Sequence, residues 1–190
     1  MNKPSASEVE KTALLVMDVQ SLTLERLKNK DEYLAKVTAA VNVAHQRHIP
    51  VVYVVVGFRP GFPEVSSRNM RFQSLRASAS AHLVDPSPAI APIGDDIVVV
   101  KRRVSAFSGS DLEVFLRARD IRHLILAGIA TSGVVLSTIR EAADKDYQLT
   151  VLSDLCVDFD AEVQSVLLAK VFPRQADVIT SQQWIDMSSI

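Results

Sequence analysis

Short unbroken runs of apolar residues, most of them followed by a polar residue or a glycine, are the feature that most constrains this fold. Runs without polar alternation are typical of strands that are buried on both faces of a parallel sheet. They recur through the 190-residue chain. The predicted strands are Thr12–Met17, Val51–Val56, Ile97–Val100, His123–Ala127, Leu149–Leu152 and Asp177–Ile179.

Segments with helical character alternate with these runs. The apolar residues Leu34, Val37, Val41 and Ala44 recur at three- and four-residue steps, which is typical of an amphipathic helix that ends before Pro50. Strands joined through helices run parallel. The sequence therefore predicts an α/β protein, a three-layer α/β/α sandwich with a mostly parallel six-stranded sheet. Further helices are predicted at Asp111–Arg119, with Ser110 as N-cap, and at Ser132–Asp144, Ala161–Val171 and Ser181–Met187.

The segment 57–96 interrupts this alternation of strands and helices and is rich in proline, glycine and serine. Long excursions of this kind inside a compact domain are usually functional or cover a neighbour. A short helix is predicted within Ser66–His82. We expect a flexible N-terminal tail over residues 1–11 and a single domain over residues 12–190.

The overall composition excludes several classes of protein. The chain carries 21 Lys and Arg against 22 Asp and Glu, a net charge of −1, which argues against a nucleic-acid or anionic-membrane partner. Its single cysteine, Cys156, excludes an intrachain disulfide and cysteine-rich zinc modules. With no apolar secretory segment and no apolar run near the ~20 residues of a membrane span, a soluble cytoplasmic protein is expected.

The ends of the predicted strands identify candidate site residues, because ligands of open parallel sheets bind beyond the carboxyl ends of the strands. Asp18, Lys101, Gly128 and Asp154 stand at these ends. A carboxylate at a buried strand end is costly unless it is paired. Asp18 is therefore either a functional acid or a cap of the following turn. Lys101 is either its partner or an edge lysine of a basic turn.

The turn from Gly128 to Gly133 leads from a predicted strand into a predicted helix. Such a turn offers backbone N–H groups that suit an anion or an oxyanion. The alternative is an ordinary turn in which Thr131 or Ser132 caps the helix.

Three segments together carry a family resemblance: LLVMDVQ at 14–20, VVVKRRVSAFSGSDLEVFLR at 98–117 and LILAGIATSGVVLSTIREAADKDYQLTVLSDLCVD at 124–158. They resemble the isochorismatase-like hydrolase superfamily, also called the cysteine hydrolase family. The resemblance implies a parallel six-stranded α/β sandwich. It also implies a catalytic pair formed by Asp18 and Lys101, and a cis peptide bond between Ile129 and Ala130. The implied oxyanion and substrate-binding residues are Ile129, Ala130, Thr131, Gly133, Phe107 and Gln20.

One position departs from the family pattern. Relatives with a nucleophile carry G-x-A-T-x-x-C, and this chain has Val134 where that cysteine would stand. Cys156 lies in a different segment and is expected to be a core residue. Without a thiolate no acyl-enzyme can form, which disfavours nicotinamidase and N-carbamoyl amidase activity by the usual route. No histidine occurs in VVGFRPGFPEV after the second strand, so no metal and no cofactor are expected.

Two functions therefore stay open. The resemblance extends to isochorismatases, which have glycine at the cysteine position and cleave a vinyl ether with the aspartate as acid and water as nucleophile. It implies a hydrolase of a small polar metabolite with a vinyl ether or amide-type bond. The alternative is an inactive relative that binds small molecules or acts in an oligomer. Relatives commonly assemble, so a homodimer or homotetramer is expected.

Other residues have weaker claims to a functional role. Ser132 and Ser137 lack an evident base for a serine mechanism. Phe58 and Phe107 could line a pocket or the core. The long excursion contributes Arg68, Arg71 and Arg76, which could bind a substrate carboxylate, although solvation or a subunit contact is favoured. The histidines are expected to be structural; they are His45, His48, His82 and His123. A phospho-receiver domain is rejected, since Asp18 is followed by Val-Gln rather than by a second acid.

Overall fold

The computed structural model describes residues 11–77 and 88–187. Its strands form a six-stranded sheet in the order β3-β2-β1-β4-β5-β6, and every neighbouring pair is parallel. The predicted six-stranded parallel sheet is therefore confirmed. The strands are β1 (Thr12–Met17), β2 (Val51–Val56), β3 (Ile97–Lys101), β4 (His123–Ile129), β5 (Gln148–Val157) and β6 (Asp177–Ile179).

Helices cover both faces of the sheet. They are α1 (Ser21–Leu24), α2 (Lys30–Gln46), α3 (Met70–Ala77), α4 (Leu112–Ala118), α5 (Leu136–Asp144), α6 (Ala161–Val166) and α7 (Ser181–Asp186). A π-helical turn, Thr131–Val135, leads directly into α5, and a second one, Leu167–Val171, follows α6 before the short 3₁₀ turn Phe172–Arg174. The two predicted helices Ser132–Asp144 and Ala161–Val171 are thus each part α-helix and part π-helix.

The central strand β1 shows why the sequence builds three layers. All six of its residues are buried, and the five from Ala13 to Met17 alternate between two hydrophobic clusters. Leu15 and Met17 pack on the face that α4 and α5 cover, whereas Leu14 and Val16 pack on the face of α2 and α7. Since neighbouring side chains of a strand point to opposite faces, a run that is apolar throughout needs a helical layer on each side. The predicted three-layer sandwich is confirmed.

Strand β5 corrects the prediction at Asp154. This strand continues to Val157, so Asp154 lies inside it and not at its end. The Asp154 carboxylate accepts hydrogen bonds from the backbone N–H of Ser181 at 2.6 Å and from its hydroxyl at 2.7 Å. Asp154 therefore fixes the beginning of α7. A change of register between β4 and β5, between Leu126 and Gly128, accommodates the longer strand.

Two smaller expectations also change. The N-cap of α4 is Asp111 and not Ser110, whose hydroxyl donates to the carbonyl of Ala106 at 2.6 Å. The helix expected within Ser66–His82 is α3, and residues 78–82 of that prediction lie outside the described residues. So do residues 1–10 of the expected tail. Among the helices of the described ranges, none has the length and apolar character needed to cross a membrane.

Strands β1 and β4 approach each other closely at Gly128. This glycine lies opposite Met17 in the parallel register. A Cβ atom added to Gly128 would lie 2.6 Å from the carbonyl oxygen of Met17 and 2.9 Å from its Cβ. The absence of a side chain is therefore a packing requirement at this point, directly before the turn that leaves β4.

Candidate active site

A cavity of about 310 Å³ lies beyond the carboxyl ends of the four neighbouring strands β3, β2, β1 and β4. The strand ends contribute Lys101, Val56, Asp18 and Ile129 to its wall. Residues after β1, on α3, after β3, on the turn after β4 and after β5 form the remainder. The further lining residues are Leu22, Thr23, Arg26, Arg71, Phe72, Ser74, Leu75, Val104, Ala130, Gly133, Val134 and Phe159.

Asp18 and Lys101 form a buried ion pair in this wall. The Nζ of Lys101 lies 3.0 Å from Oδ2 of Asp18, and the two side chains are 2% and 12% exposed. The ammonium also donates to the carbonyl of Arg103 at 3.0 Å. Lys101 is therefore the ion-pair partner of Asp18, although it also ends β3, an edge strand of the sheet.

The backbone at Asp18 turns sharply to present this carboxyl group. Its φ is +54°, a left-handed conformation that aspartate adopts more readily than most residues. The Asp18 N–H donates to the carbonyl of Val54 at 2.8 Å, and its carbonyl accepts from the Thr23 hydroxyl at 2.5 Å. Both sides of the residue are thus held in place by neighbouring segments.

The Asp18 carboxyl group combines one paired oxygen with one unpaired oxygen. Oδ1 is buried and has no hydrogen-bond partner among the described residues. Burial raises the pKa of Asp18 above its ordinary value of 3.8, and the positive charges of Lys101 and Arg71 oppose this rise without cancelling it. The group therefore keeps its proton to a higher pH than an exposed aspartate does. This is a property of a general acid.

The turn after β4 brings Ala130, Gly133 and Val134 to the cavity. The peptide bond between Ile129 and Ala130 is cis. The carbonyl of Ala130 accepts from the N–H of Gly133 at 3.0 Å, and the Ser132 N–H donates to Oδ2 of Asp158 at 2.6 Å. The expectation that this turn presents free amides is therefore wrong for Ser132 and Gly133, whose N–H groups already have partners.

Val134 forms part of the cavity wall at the position where the family pattern has cysteine. Cys156 does not substitute for that thiol. It lies on β5 opposite Gly128, its side chain belongs to the hydrophobic cluster under α4 and α5, and its Sγ donates to the carbonyl of Leu126 at 3.6 Å. Burial raises the pKa of Cys156 to about 12, so the thiol stays protonated and unreactive.

Three residues predicted for substrate contact lie outside the cavity lining: Gln20, Phe107 and Thr131. The side chain of Gln20 is occupied at the end of β2, where it accepts from the N–H of Val56 and donates to its carbonyl. Phe107 packs against Tyr147 in the core, with ring centroids 5.9 Å apart. Thr131 is fully buried.

Other candidates also lie away from the cavity. Phe58 packs on Phe62 and Phe72, in a cluster behind the wall. Ser132 and Ser137 do not line the cavity, so a serine mechanism gains no support. His45 pairs with Asp96 and His123 with Thr150, whereas His82 lies outside the described residues. Within residues 11–77 and 88–187 no cluster of His, Cys, Asp or Glu suits a metal ion. Independence of a metal stays a prediction.

The structure adds cavity residues that sequence reasoning missed or placed elsewhere. Arg71 on α3 lines the cavity, and its positive charge opposes the rise in the pKa of Asp18. Solvation alone therefore does not describe this exposed residue, and a subunit contact stays a prediction. Arg68 and Arg76 are exposed and do not line the cavity, which agrees with solvation. Arg26 and Phe159 also line the wall. Nothing in the sequence indicated these two, because they stand in separate loops.

The effect of Arg71 on Asp18 can be measured directly. We expect Arg71→Gln to raise the pKa of the Asp18 carboxyl group further, because it removes a positive charge that favours the ionised form. The carboxyl carbon of Asp18, followed by NMR as a function of pH, reports this value. Arg76→Gln, on the same helix but outside the cavity, is the control and should leave the titration unchanged. A downward shift in Arg71→Gln would contradict the electrostatic assignment.

Comparison with known proteins agrees with this geometry. The sequence profile of the Isochorismatase domain matches residues 12–183. The chain belongs to the isochorismatase family. A solved isochorismatase family protein from Burkholderia thailandensis superimposes with a TM-score of 0.80 at 28% sequence identity, covering 95% of this chain and 97% of the other.

Two curated relatives of this isochorismatase-family chain carry functional descriptions. The ureidoacrylate amidohydrolase RutB of Stutzerimonas stutzeri is 29% identical over 178 residues, covering 80% of this chain and 72% of the relative. A protein of Arabidopsis thaliana described as a probable inactive nicotinamidase is 29% identical over 186 residues, covering 91% and 94%. The family thus includes both hydrolases and a relative described as inactive.

Proposed function

We propose that this isochorismatase-family protein is a hydrolase that works without a cysteine nucleophile and uses Asp18 as its general acid and base. The observation that carries the proposal is the Asp18 carboxyl group itself. It lines the cavity, pairs with Lys101 through one oxygen at 3.0 Å, and has no hydrogen-bond partner on the other among the described residues. An acid with a raised pKa in the wall of a cavity is suited to proton transfer.

A vinyl ether is the bond that this arrangement can break most directly. Protonated Asp18 donates its proton to the terminal vinyl carbon, and the resulting positive charge is shared by the other vinyl carbon and the ether oxygen. Water adds to the vinyl carbon that is bonded to the ether oxygen, and it gives a proton to the Asp18 carboxylate. The hemiketal then collapses to an alcohol and a carbonyl compound. Lys101 stabilises the carboxylate between the two proton transfers.

Amide cleavage fits the site less well. The family route to amides requires a thiolate that forms an acyl-enzyme. Val134 occupies that position in the wall, and the Cys156 thiol is buried with a pKa of about 12. Water would have to attack an unactivated amide carbonyl directly. An amide-type substrate therefore ranks behind a vinyl ether in the proposal.

The cavity also limits the size of the substrate. A volume of about 310 Å³ is at the lower end of ligand pockets and fits a small metabolite. Its walls combine apolar side chains such as Phe72 and Val104 with the charged groups already described. We propose a small polar metabolite, and keep a homodimer or homotetramer in the cytoplasm as a prediction.

A substrate screen tests the proposal. The panel contains vinyl ethers with and without a carboxylate, small amides and N-carbamoyl amides, and the proteins are the wild type and Val134→Cys. We expect the wild type to hydrolyse a vinyl ether, with alcohol release measured by chromatography. If the wild type is inactive on the whole panel and only Val134→Cys cleaves amides, the proposal is wrong.

The second candidate function is that of a non-catalytic binding protein. Val134 in place of the nucleophile favours it, and one relative is described as probably inactive. Against it stands the buried Asp18–Lys101 pair. Buried ion pairs are weak sources of stability, so a site that only binds ligands has little physical need to retain one.

A further inference from the structure

We propose that Arg26, stacked on Phe159, binds a carboxylate of the substrate, so that the substrate class is a small carboxylic acid with an apolar body. The inference rests on the proposed function in that it assigns the substrate of the same cavity. The two residues come from opposite parts of the chain, one after α1 and the other after β5, and both line the cavity.

The stacking geometry prepares Arg26 for an anion. The guanidinium carbon lies 3.6 Å from the centroid of the Phe159 ring. A guanidinium held flat on an aromatic face keeps the N–H donors along its edge available, and these donors match the two oxygens of a carboxylate. Because the ring already restricts the long side chain, less conformational entropy is lost when the anion binds.

The charge of Arg26 is not neutralised within the described parts of the chain. Its guanidinium makes no ion pair or hydrogen bond with another described residue. Other arginines are neutralised by carboxylates: Arg117 pairs with Glu113, and Arg122 pairs with Asp120. A cavity with an uncompensated arginine in its wall favours an anionic ligand.

The Phe159 platform is tied to the turn after β4. The Phe159 N–H donates to Oδ1 of Asp158 at 2.9 Å, and Oδ2 of the same carboxylate accepts from the Ser132 N–H at 2.6 Å. Asp158 therefore links the Phe159 backbone to the turn that contains Ala130 and Gly133, which line the cavity. A stationary platform of this kind can contribute to orientation of the substrate as well as to affinity.

Calorimetric titration with benzoate and with benzyl alcohol tests this inference. The two probes share an apolar body and have no hydrolysable bond, and only benzoate carries a charge. We expect the wild type to bind benzoate, and Arg26→Gln to weaken benzoate binding roughly tenfold or more while leaving benzyl alcohol unchanged. Arg26→Lys and Phe159→Leu should each cause a smaller loss. Lys28→Gln, a nearby exposed charge outside the cavity, is the control.

Two results would overturn the inference: benzoate affinity that is unchanged in Arg26→Gln, or equal losses for benzoate and benzyl alcohol. The absence of benzoate binding to folded wild-type protein at millimolar concentration would also overturn it. Thermal unfolding of each variant verifies the fold. Because the probes are not substrates, the outcome is independent of turnover. A protein inactive in the substrate screen could still bind benzoate through Arg26, and an active one could fail to do so.

Discussion

Asp18→Asn is expected to lower kcat for vinyl ether hydrolysis about 10²–10⁴-fold, the contribution typical of a positioned general acid. The amide keeps the size and shape of the protonated carboxyl group and cannot donate its proton to carbon. KM should change much less, since the Lys101 and Arg71 side chains remain. Steady-state kinetics on the vinyl ether identified in the screen measures both constants. Glu25→Gln, an exposed acid outside the cavity, is the matched control.

The raised pKa of Asp18 also predicts how the rate of hydrolysis changes with pH. Burial raises the pKa of Asp18 above 3.8, and the reactive form is the protonated one. The wild-type rate should therefore be greatest below the raised pKa and fall as the pH rises through it. The residual rate of Asp18→Asn should lack this limb. An Asp18→Asn variant that is folded and retains the wild-type kcat would exclude Asp18 as the proton donor.

Gly128→Ala is expected to destabilise the protein by about 3 kcal/mol, the upper range for overpacking a well-packed interior. The new methyl group would meet the Met17 carbonyl oxygen at 2.6 Å and the Met17 Cβ at 2.9 Å. Neither can move easily, because β1 and β4 pair in the middle of the sheet. Thermal unfolding should show a fall in Tm of about 6–12 °C for a chain of this size.

Gly133→Ala provides the comparison for that measurement. Its added Cβ would meet only the Cβ of Ala130, at 3.9 Å, which is an ordinary contact. We expect a change in the free energy of unfolding below about 1 kcal/mol. If both variants were equally stable, the close approach at Gly128 would not be the constraint that the geometry indicates.

The number of strands and their parallel arrangement could be predicted because burial on both faces leaves a simple signature, an unbroken apolar run. Strand β5 shows where that signature ends. After Leu152 the strand continues through Ser153 and Asp154, and polar residues normally indicate a strand end. Here the Asp154 carboxylate is satisfied by Ser181, a tertiary contact that no local pattern reveals.

The candidate site was predictable to the extent that strand ends define it. The strand ends make Asp18 and Lys101 candidates, the family resemblance implies that they form a pair, and the family pattern locates Val134. Gln20 and Phe107 are predicted to contact the substrate, but their side chains turn to β2 and to the core. Arg26 and Phe159 could not be predicted, since only the tertiary fold brings the two loops into contact.

Because β1 lies next to β4 in the sheet, the residues that line the cavity come from two consecutive halves of the chain. The half that ends at Lys101 contains the acid, its ammonium partner and both cavity arginines, whereas the later half supplies the turn after β4, Val134 and Phe159. During synthesis on the ribosome, Asp18, Lys101 and both arginines are therefore made before the turn after β4 and Phe159. A nascent chain that stops before β4 would contain the residues of the ion pair but would lack one side of the cavity.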